Sequence, residues 1–259
     1  MRDVSFNVAA EAYDGFMGAW SEPLSAHLIE FADVRPGQRV LDVGCGPGAL
    51  TAELVRRLGA DAVFAVDPSA PFVAAAAARN PGVDIRLASA EALPYPDGSF
   101  DVALAQLVVH FMADPVAGLR EMARVALPGG VVAASVWDFA GERGPLGPFW
   151  EAARELDADV VDESRLAGAR RGHLAALFET VGLGKLEAGE LKVERAYENF
   201  DAWWEPFIWQ VGPAGALVAS LDPDRRAALR ERCRSMLPDG AFVLTAVAWA
   251  ERGVVQPRA

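Results

Sequence analysis

Residues 40–48 read Val-Leu-Asp-Val-Gly-Cys-Gly-Pro-Gly, a short apolar run followed by a glycine-rich turn. The β-branched run favours a strand, and glycine permits the positive φ angles that a tight turn requires. In an open α/β sheet such a turn lies at the carboxyl end of the first strand, where the amides of the following helix receive polar ligand groups. The stretch therefore predicts a ligand-binding loop at the start of an α/β domain.

Strands and helices alternate from this turn onward. The predicted strands are 39–43, 62–67, 83–87, 101–107 and 131–137, and the predicted helices are 49–58, 69–79 and 114–126. Gly59 is expected to cap the first helix at its C-terminus, Ser69 to cap the second at its N-terminus, and Pro128-Gly129-Gly130 to end the third. Five strands joined by helices imply a doubly wound parallel sheet with right-handed crossovers.

The C-terminal third is less regular. A loop is predicted over 138–150, followed by helices at 150–159, 172–181, 199–210 and 225–237 and by strands at 182–195 and 241–250. The expected fold is thus a Rossmann-like, doubly wound α/β domain over 39–259, with a mostly parallel sheet of about seven strands. Residues 198–238 are predicted to form a helical cap inserted between the last two strands, and residues 1–38 an N-terminal helical segment.

Composition excludes several classes of function. The formal net charge of −12 over 259 residues makes a phosphate backbone an unfavourable partner, so we expect no nucleic-acid substrate. Two cysteines and three histidines, none at ligand spacing, predict neither a disulfide framework nor a metal site. No signal peptide and no apolar run of membrane-spanning length is seen, so the expected location is the cytoplasm.

The glycine turn by itself leaves two kinds of ligand open. Gly44-x-Gly46-x-x-Ala49 also fits the relaxed dinucleotide-binding pattern of NAD(P)-dependent oxidoreductases. Against that interpretation, Asp42 replaces the usual apolar strand residue, where a carboxylate can order the loop or face a cationic ligand. Asp67 ends the second predicted strand, where it can accept both hydroxyls of a ribose, in either kind of site.

Residues 88–101 link the third strand to the fourth and read Ala-Ser-Ala-Glu-Ala-Leu-Pro-Tyr-Pro-Asp-Gly-Ser-Phe-Asp. Together with the loop at 42–48, this segment resembles the class I S-adenosylmethionine-dependent methyltransferases, and within them the ubiquinone/menaquinone C-methyltransferase-like (type 11) subgroup. The family pattern is small-Asp-Ala-Glu-x-Leu-Pro-Phe-x-Asp-x-Ser-Phe-Asp. The resemblance covers roughly residues 10–137, and the C-terminal third is far less diagnostic.

The resemblance implies S-adenosyl-L-methionine as the cofactor and S-adenosyl-L-homocysteine as the product. Asp42 and the turn with Gly44, Cys45, Gly46 and Gly48 would hold the methionine part, and Gln106 and Leu107 would lie beside it. Asp67 would bind the ribose, and Pro68, Ser69, Ala90 and Glu91 would surround the adenine. Tyr13 and Trp20 resemble aromatic residues that close over the cofactor. Ser89 departs from the pattern, because the family commonly has an aspartate there that accepts a hydrogen bond from the adenine amino group.

Methyl transfer from a sulfonium needs alignment and exclusion of water, and a general base only if the acceptor must lose a proton. His110, just after the fourth strand, is the predicted base, with a packing role as the alternative. Trp203, Trp204 and Phe207 share a helical face, which predicts either a lid over an apolar substrate or packing on the sheet. Trp137 is expected to join that pocket, together with Phe139 and Phe149.

The predicted function is methyl transfer to a small-molecule acceptor with an apolar or aromatic body, at oxygen, nitrogen or carbon. The alternatives are an NAD(P)-dependent oxidoreductase and a non-catalytic nucleoside-binding module. An oxidoreductase leaves Asp42 and the segment 89–101 unexplained.

Overall fold

A computed structural model describes residues 14–157 and 159–257. Its seven strands form one sheet in the order β3-β2-β1-β4-β5-β7-β6. The strands are β1 (Val40–Val43), β2 (Val63–Asp67), β3 (Asp84–Leu87), β4 (Phe100–Gln106), β5 (Ala126–Trp137), β6 (Gly184–Tyr197) and β7 (Phe242–Val254). The first five strands are parallel, whereas β7 runs antiparallel to both β5 and β6. The predicted Rossmann-like α/β class is confirmed.

Helices cover both faces of the sheet. They are α1 (Ala19–Phe31), α2 (Ala49–Leu58), α3 (Ala70–Arg79), α4 (Pro115–Val125), α5 (Gly147–Leu156), α6 (His173–Thr180), α7 (Phe200–Trp204), α8 (Gly212–Ser220) and α9 (Pro223–Met236). A π-helical turn, Asp14–Gly18, precedes α1, and a 3-10 turn, Glu205–Trp209, follows α7. None of these described helices is both long and apolar enough to cross a membrane.

The core lies in two layers because side chains alternate along each strand. In β4, Val102 and Leu104 pack with α1, α2 and the aromatic residues of α7. Ala103 and Ala105 of the same strand pack with α4 and α6 on the opposite face. The central strand β4 is therefore buried on both faces, as is typical of the parallel part of such a sheet.

Two local expectations fail, and one helix was not expected. Residues 128–130 do not end α4, because that helix stops at Val125 and the chain passes directly into β5. The helix predicted from residue 150 begins at Gly147, within the predicted loop. The helix α8 was not predicted, since its start, Gly-Pro-Ala-Gly, has the composition of a turn.

Between β6 and β7 the chain forms α7, the 3-10 turn, α8 and α9. These elements occupy the range predicted as a helical insertion. Arg232 of α9 pairs with Glu155 of α5, with a 2.8 Å bond from Nη2 to Oε1, so the insertion is joined to the helix that follows β5.

Candidate active site

The glycine turn after β1 depends on backbone geometry that other residues adopt only with strain. Gly44, Gly46 and Gly48 have φ angles of 72°, 53° and 91°. A Cβ atom on Gly44 would come within 2.5 Å of a methyl group of Val108, whereas one on Gly46 would meet no protein atom within 4 Å. Gly44 therefore permits close packing against the chain after β4, and Gly46 faces open space.

Asp67, at the end of β2, connects the glycine turn to the start of α3. Its Oδ2 accepts the backbone N–H of Gly46 at 2.9 Å, and its Oδ1 accepts that of Ser69 at 2.8 Å. Ser69 occupies the N-cap position, but its own side chain makes no capping hydrogen bond, which corrects the predicted role. Two of the four acceptor directions of the Asp67 carboxylate remain for a ligand.

Asp42, in the middle of β1, lies beneath the turn. Thr51 of α2 donates its hydroxyl to Oδ2 of Asp42 at 2.6 Å, so the carboxyl joins the strand to the following helix. Burial, with a smaller contribution from the charge of Asp67, raises the pKa of Asp42 to about 7. A cation placed nearby would favour the ionised form of this group.

These elements enclose a cavity of about 350 Å³ at the carboxyl ends of β1, β2 and β4. It contains most of the predicted cofactor-binding residues: Asp42, Gly44, Cys45, Gly46, Asp67, Pro68, Ser69, Ser89, Ala90, Glu91, Gln106 and Leu107. Ten lining residues were missed: Gly18, Ser21, Pro47, Ala49, Leu50, Phe72, Val108, Phe111, Met112 and Ala113. Four of them, Ser21, Pro47, Ala49 and Val108, directly follow a residue predicted to bind the cofactor, which is the signal that could have found them.

The cavity is acidic. Three carboxylates line it, from Asp42, Asp67 and Glu91, and its described lining includes no lysine, arginine or histidine. A pyrophosphate would meet like charges in this cavity, while a cation would be stabilised.

Gln106, at the end of β4, also lines this space. Its Nε2 donates to the carbonyl of Ser21 and the hydroxyl of Ser25, each at 3.0 Å, which fixes the orientation of the amide. Its buried Oε1 has no hydrogen-bond partner among the described residues. A buried amide oxygen without a partner indicates a place for a ligand donor.

Two of the predicted cofactor residues that the structure describes, Gly48 and Trp20, do not line the cavity. Gly48 serves instead as the left-handed N-cap of α2. Trp20 is 1% exposed and packs edge-on against Trp137, with ring centroids 6.4 Å apart, so it belongs to the core rather than to a closing lid. Tyr13 lies outside the described residues.

A smaller chamber of about 50 Å³ adjoins the cavity, and both spaces are lined by Leu107 and Phe111. The chamber contains His110, Trp137 and Phe139 from the predicted catalytic and substrate residues. Its lining is mostly apolar, and the exceptions are His110 and a residue that the sequence did not reveal, Glu163. Glu163 lies on an isolated 3-10 turn, Glu163–Arg165, in a stretch without periodicity that could have marked it.

His110 is buried in the chamber wall. Its ring lies 3.9 Å from that of Phe111 and 5.6 Å from that of Phe139, measured between centroids. Its Nδ1 has no partner among the described residues. Burial lowers the pKa of His110 to about 3, so the imidazole is neutral at pH 7 and a weak proton acceptor.

The aromatic group of α7 and the following 3-10 turn lines neither space. Trp203, Trp204 and Phe207 are 2%, 6% and 1% exposed and belong to the core. Phe207 stacks on Phe149 at 4.6 Å and contacts Phe16, a chamber residue, at 5.3 Å. These side chains therefore support the chamber wall from behind, and the packing alternative describes their position better than a lid.

A profile of the methyltransferase domain family Methyltransf_11 matches residues 41–134, the part of the chain that carries the acidic cavity. The chain is 31% identical over 195 residues to the malonyl-[acyl-carrier protein] O-methyltransferase of Pseudescherichia vulneris, covering 75% of this chain and 72% of that protein. This chain belongs to the S-adenosylmethionine-dependent methyltransferases. The resemblance seen in its sequence is confirmed, and the NAD(P)-dependent alternative is not favoured.

Other relatives of this methyltransferase align over a shorter stretch of sequence or are similar in structure at low sequence identity. It is 37% identical over 109 residues to the ubiquinone/menaquinone C-methyltransferase UbiE of Bdellovibrio bacteriovorus, covering 40% of this chain and 46% of that protein. For the first relatives that it matches, the aligned stretch spans 34% to 50% of their length. The solved phosphoethanolamine N-methyltransferase 2 of Haemonchus contortus, in complex with S-adenosyl-L-methionine, shares the fold with a TM-score of 0.58 and 18% identity, over 96% of this chain and 57% of that chain.

Proposed function

We propose that the protein binds S-adenosyl-L-methionine in the acidic cavity and transfers its methyl group to a small-molecule acceptor with an apolar body. The observation that carries this proposal is the set of three carboxylates lining a cavity whose described walls hold no basic side chain. S-adenosylmethionine carries a sulfonium and an ammonium, so it suits this field, whereas a pyridine dinucleotide brings two phosphates into it.

The residues present fit the cofactor. Asp67 retains two acceptor directions for the ribose hydroxyls while it holds the turn in place. Asp42 and the unpartnered Oε1 of Gln106 supply acceptors for the ammonium of the methionine part. Ser69, Ser89 and Glu91 lie where the adenine is expected, and the cavity volume of about 350 Å³ is within the range of small-molecule sites.

The bound cofactor supplies an activated methyl group on a positively charged sulfur. The protein's contribution is to position the acceptor in line with that group and to keep water out. The adjoining apolar chamber, bounded by Leu107 and Phe111, is the proposed place of the acceptor's reactive end. The helices between β6 and β7 would then act as the cap, since Val211, Gly212, Pro213 and Ala214 of that insertion line the chamber.

Calorimetry with S-adenosylmethionine, S-adenosylhomocysteine and NADH tests the ligand, and formation of S-adenosylhomocysteine in the presence of acceptors tests turnover. We expect micromolar binding of the first two compounds and none of the third. Binding of NADH alone would overturn the proposal. Binding of the cofactor without turnover of any acceptor would identify a nucleoside-binding module instead.

Asp42 should make cofactor binding depend on pH. Since burial raises its pKa to about 7, only about a tenth of the molecules carry the ionised carboxylate at pH 6, and about half do at pH 7. The ammonium of the ligand stays protonated over this range, so affinity should rise about fivefold from pH 6 to pH 7. Calorimetry at both pH values measures this change.

The variant Asp42→Asn should bind the cofactor more weakly and lose the pH dependence. Asp61→Asn is the matched control, because Asp61 lies in the exposed turn before β2, and it should bind as the unaltered protein does. An unchanged fivefold rise in Asp42→Asn would assign the titration to another group, such as Asp67, whose pKa is also raised by burial.

A further inference from the structure

Glu163 is a buried carboxyl beside the cofactor cavity that the proposed function leaves without a role. It is 5% exposed and lines the small chamber together with His110 and Trp137. Trp150 of α5 donates its Nε1–H to Oε2 of Glu163 at 3.1 Å. Buried carboxyls are costly, so a carboxyl in a mostly apolar chamber calls for a physical explanation.

The turn that carries Glu163 is held rigidly against α5. Arg154 of α5 contacts Asp162 at 2.5 Å, and Asp162 in turn accepts the backbone N–H of Ser164 at 3.0 Å. The bonds from Arg154 to Asp162 and from Trp150 to Glu163 thus join the turn to α5. A side chain positioned in this way is preorganised for a role in the chamber.

The other polar groups of the chamber limit which functional group of a methyl acceptor can bind there. Trp137 lines the same space, and its buried Nε1–H has no acceptor among the described residues. The residues that line the chamber therefore bring one buried donor without a partner and one carboxyl group. A hydroxyl group can accept from the first and donate to the second, whereas a carboxylate ligand can only accept.

The charges around the chamber also favour a neutral acceptor. The described lining of the chamber includes no lysine or arginine, and Asp162 adds negative charge close to Glu163. An anionic acceptor would meet repulsion that no cation in the chamber's described lining offsets. The volume of about 50 Å³ fits the reactive end of a molecule rather than the whole of one.

Resting on the proposed function, we propose that the acceptor is a neutral, apolar alcohol or phenol and that Glu163 is the catalytic base for its methylation. The carboxylate of Glu163 takes the proton of the hydroxyl while the acceptor oxygen forms a bond to the methyl carbon. The methyl–sulfur bond breaks with its electron pair left on sulfur, and the products are a methyl ether and S-adenosylhomocysteine. The proton on Glu163 then passes to solvent.

Glu163 suits this role better than His110. Burial raises the pKa of Glu163 to about 7, close to the ideal for a base acting at neutral pH, whereas that of His110 falls to about 3. The charged and titratable groups around Glu163 are His110 across the chamber and Asp162, Arg154 and Glu142 on the side of α5. Arg154 is engaged by Asp162 and Glu142.

The experiment uses the whole protein loaded with cofactor and three matched probes: 4-ethylphenol, 4-ethylanisole and 4-ethylbenzoate. Binding is measured by calorimetry on the S-adenosylhomocysteine complex, and turnover as S-adenosylhomocysteine formed from S-adenosylmethionine. We expect 4-ethylphenol to bind at least about tenfold more tightly than 4-ethylbenzoate and to be the probe that is methylated. The rate should rise with pH through about 7, as Glu163 ionises.

The variant Glu163→Gln keeps an oxygen that accepts the Trp150 N–H but removes the base. Its kcat should therefore fall about a hundredfold and no longer rise near pH 7. Its affinity for 4-ethylphenol should change less than about threefold. Glu231→Gln, which removes an exposed carboxylate on α9, should leave both quantities unchanged, and thermal unfolding checks that both variants are folded. The inference would be overturned if Glu163→Gln methylated at the rate of the unaltered protein, or if only His110→Gln lost activity. It would also be overturned if 4-ethylbenzoate bound as tightly as 4-ethylphenol or more tightly, or if 4-ethylphenol were neither bound nor methylated. Failure to bind S-adenosylmethionine would count against the proposed function instead.

Discussion

Replacing Asp67 by alanine is expected to weaken S-adenosylmethionine binding about fiftyfold, equivalent to about 2.3 kcal/mol. Two effects combine in this loss. The ribose hydroxyls lose a charged acceptor, and the N–H groups of Gly46 and Ser69 lose the carboxylate that orients both loops. Calorimetry with S-adenosylmethionine and S-adenosylhomocysteine measures both affinities.

The variant Asp67→Asn separates the two effects. An asparagine oxygen can still accept one of the two N–H bonds, so the loops are better preserved, while the charge is gone. We expect its affinity to lie between those of Asp67→Ala and the unaltered protein. Asp61→Asn, in the turn before the same strand, serves again as the control. Full affinity in Asp67→Ala would remove the ribose contact from the proposed site and reduce Asp67 to a purely structural residue.

Most of the residues predicted to bind the cofactor line one cavity, because they follow strand ends. Alternating β-branched runs and helices placed the loops after β1, β2 and β4 at one edge of the sheet, and α2 occupies the predicted residues 49–58. Adjacent lining residues such as Leu50 and Val108 come with that topology. The pattern could not predict how the loops are held: Ser69 makes no side-chain capping bond, and its own backbone N–H is instead bound by Asp67.

The residues around the proposed acceptor chamber were harder to predict. An aromatic stripe such as Trp203, Trp204 and Phe207 indicates a buried face, but the same pattern results whether a ligand or the protein's own core covers it. Here Phe149 and Phe200 cover it. Glu163 gave no signal, since its position results from contacts with α5, which approaches it only in the folded chain. Long-range placement of a single turn is not encoded in local periodicity.

Gly46→Ala should weaken cofactor binding by about tenfold or more while the protein stays folded. The residue has a φ of 53°, and a Cβ atom there would meet no protein atom within 4 Å. Backbone strain from alanine in this left-handed conformation costs about 1 kcal/mol of folding stability. Because Gly46 lines the cavity, the added methyl group would intrude on the ligand rather than on the protein.

Gly37→Ala is the matched control for this prediction. Gly37 has a φ of 88° and is exposed, and a Cβ atom added there would likewise meet nothing within 4 Å, but it lies in the turn before β1, away from the cavity. Both variants should therefore lose similar stability in thermal unfolding, and only Gly46→Ala should lose affinity in calorimetry. Gly44→Ala should differ from both, because its Cβ would come within 2.5 Å of Val108 and so disturb the fold itself. Equal affinity in Gly46→Ala and Gly37→Ala would mean that no ligand approaches the backbone of the turn, and the cofactor would then have to lie elsewhere in the cavity.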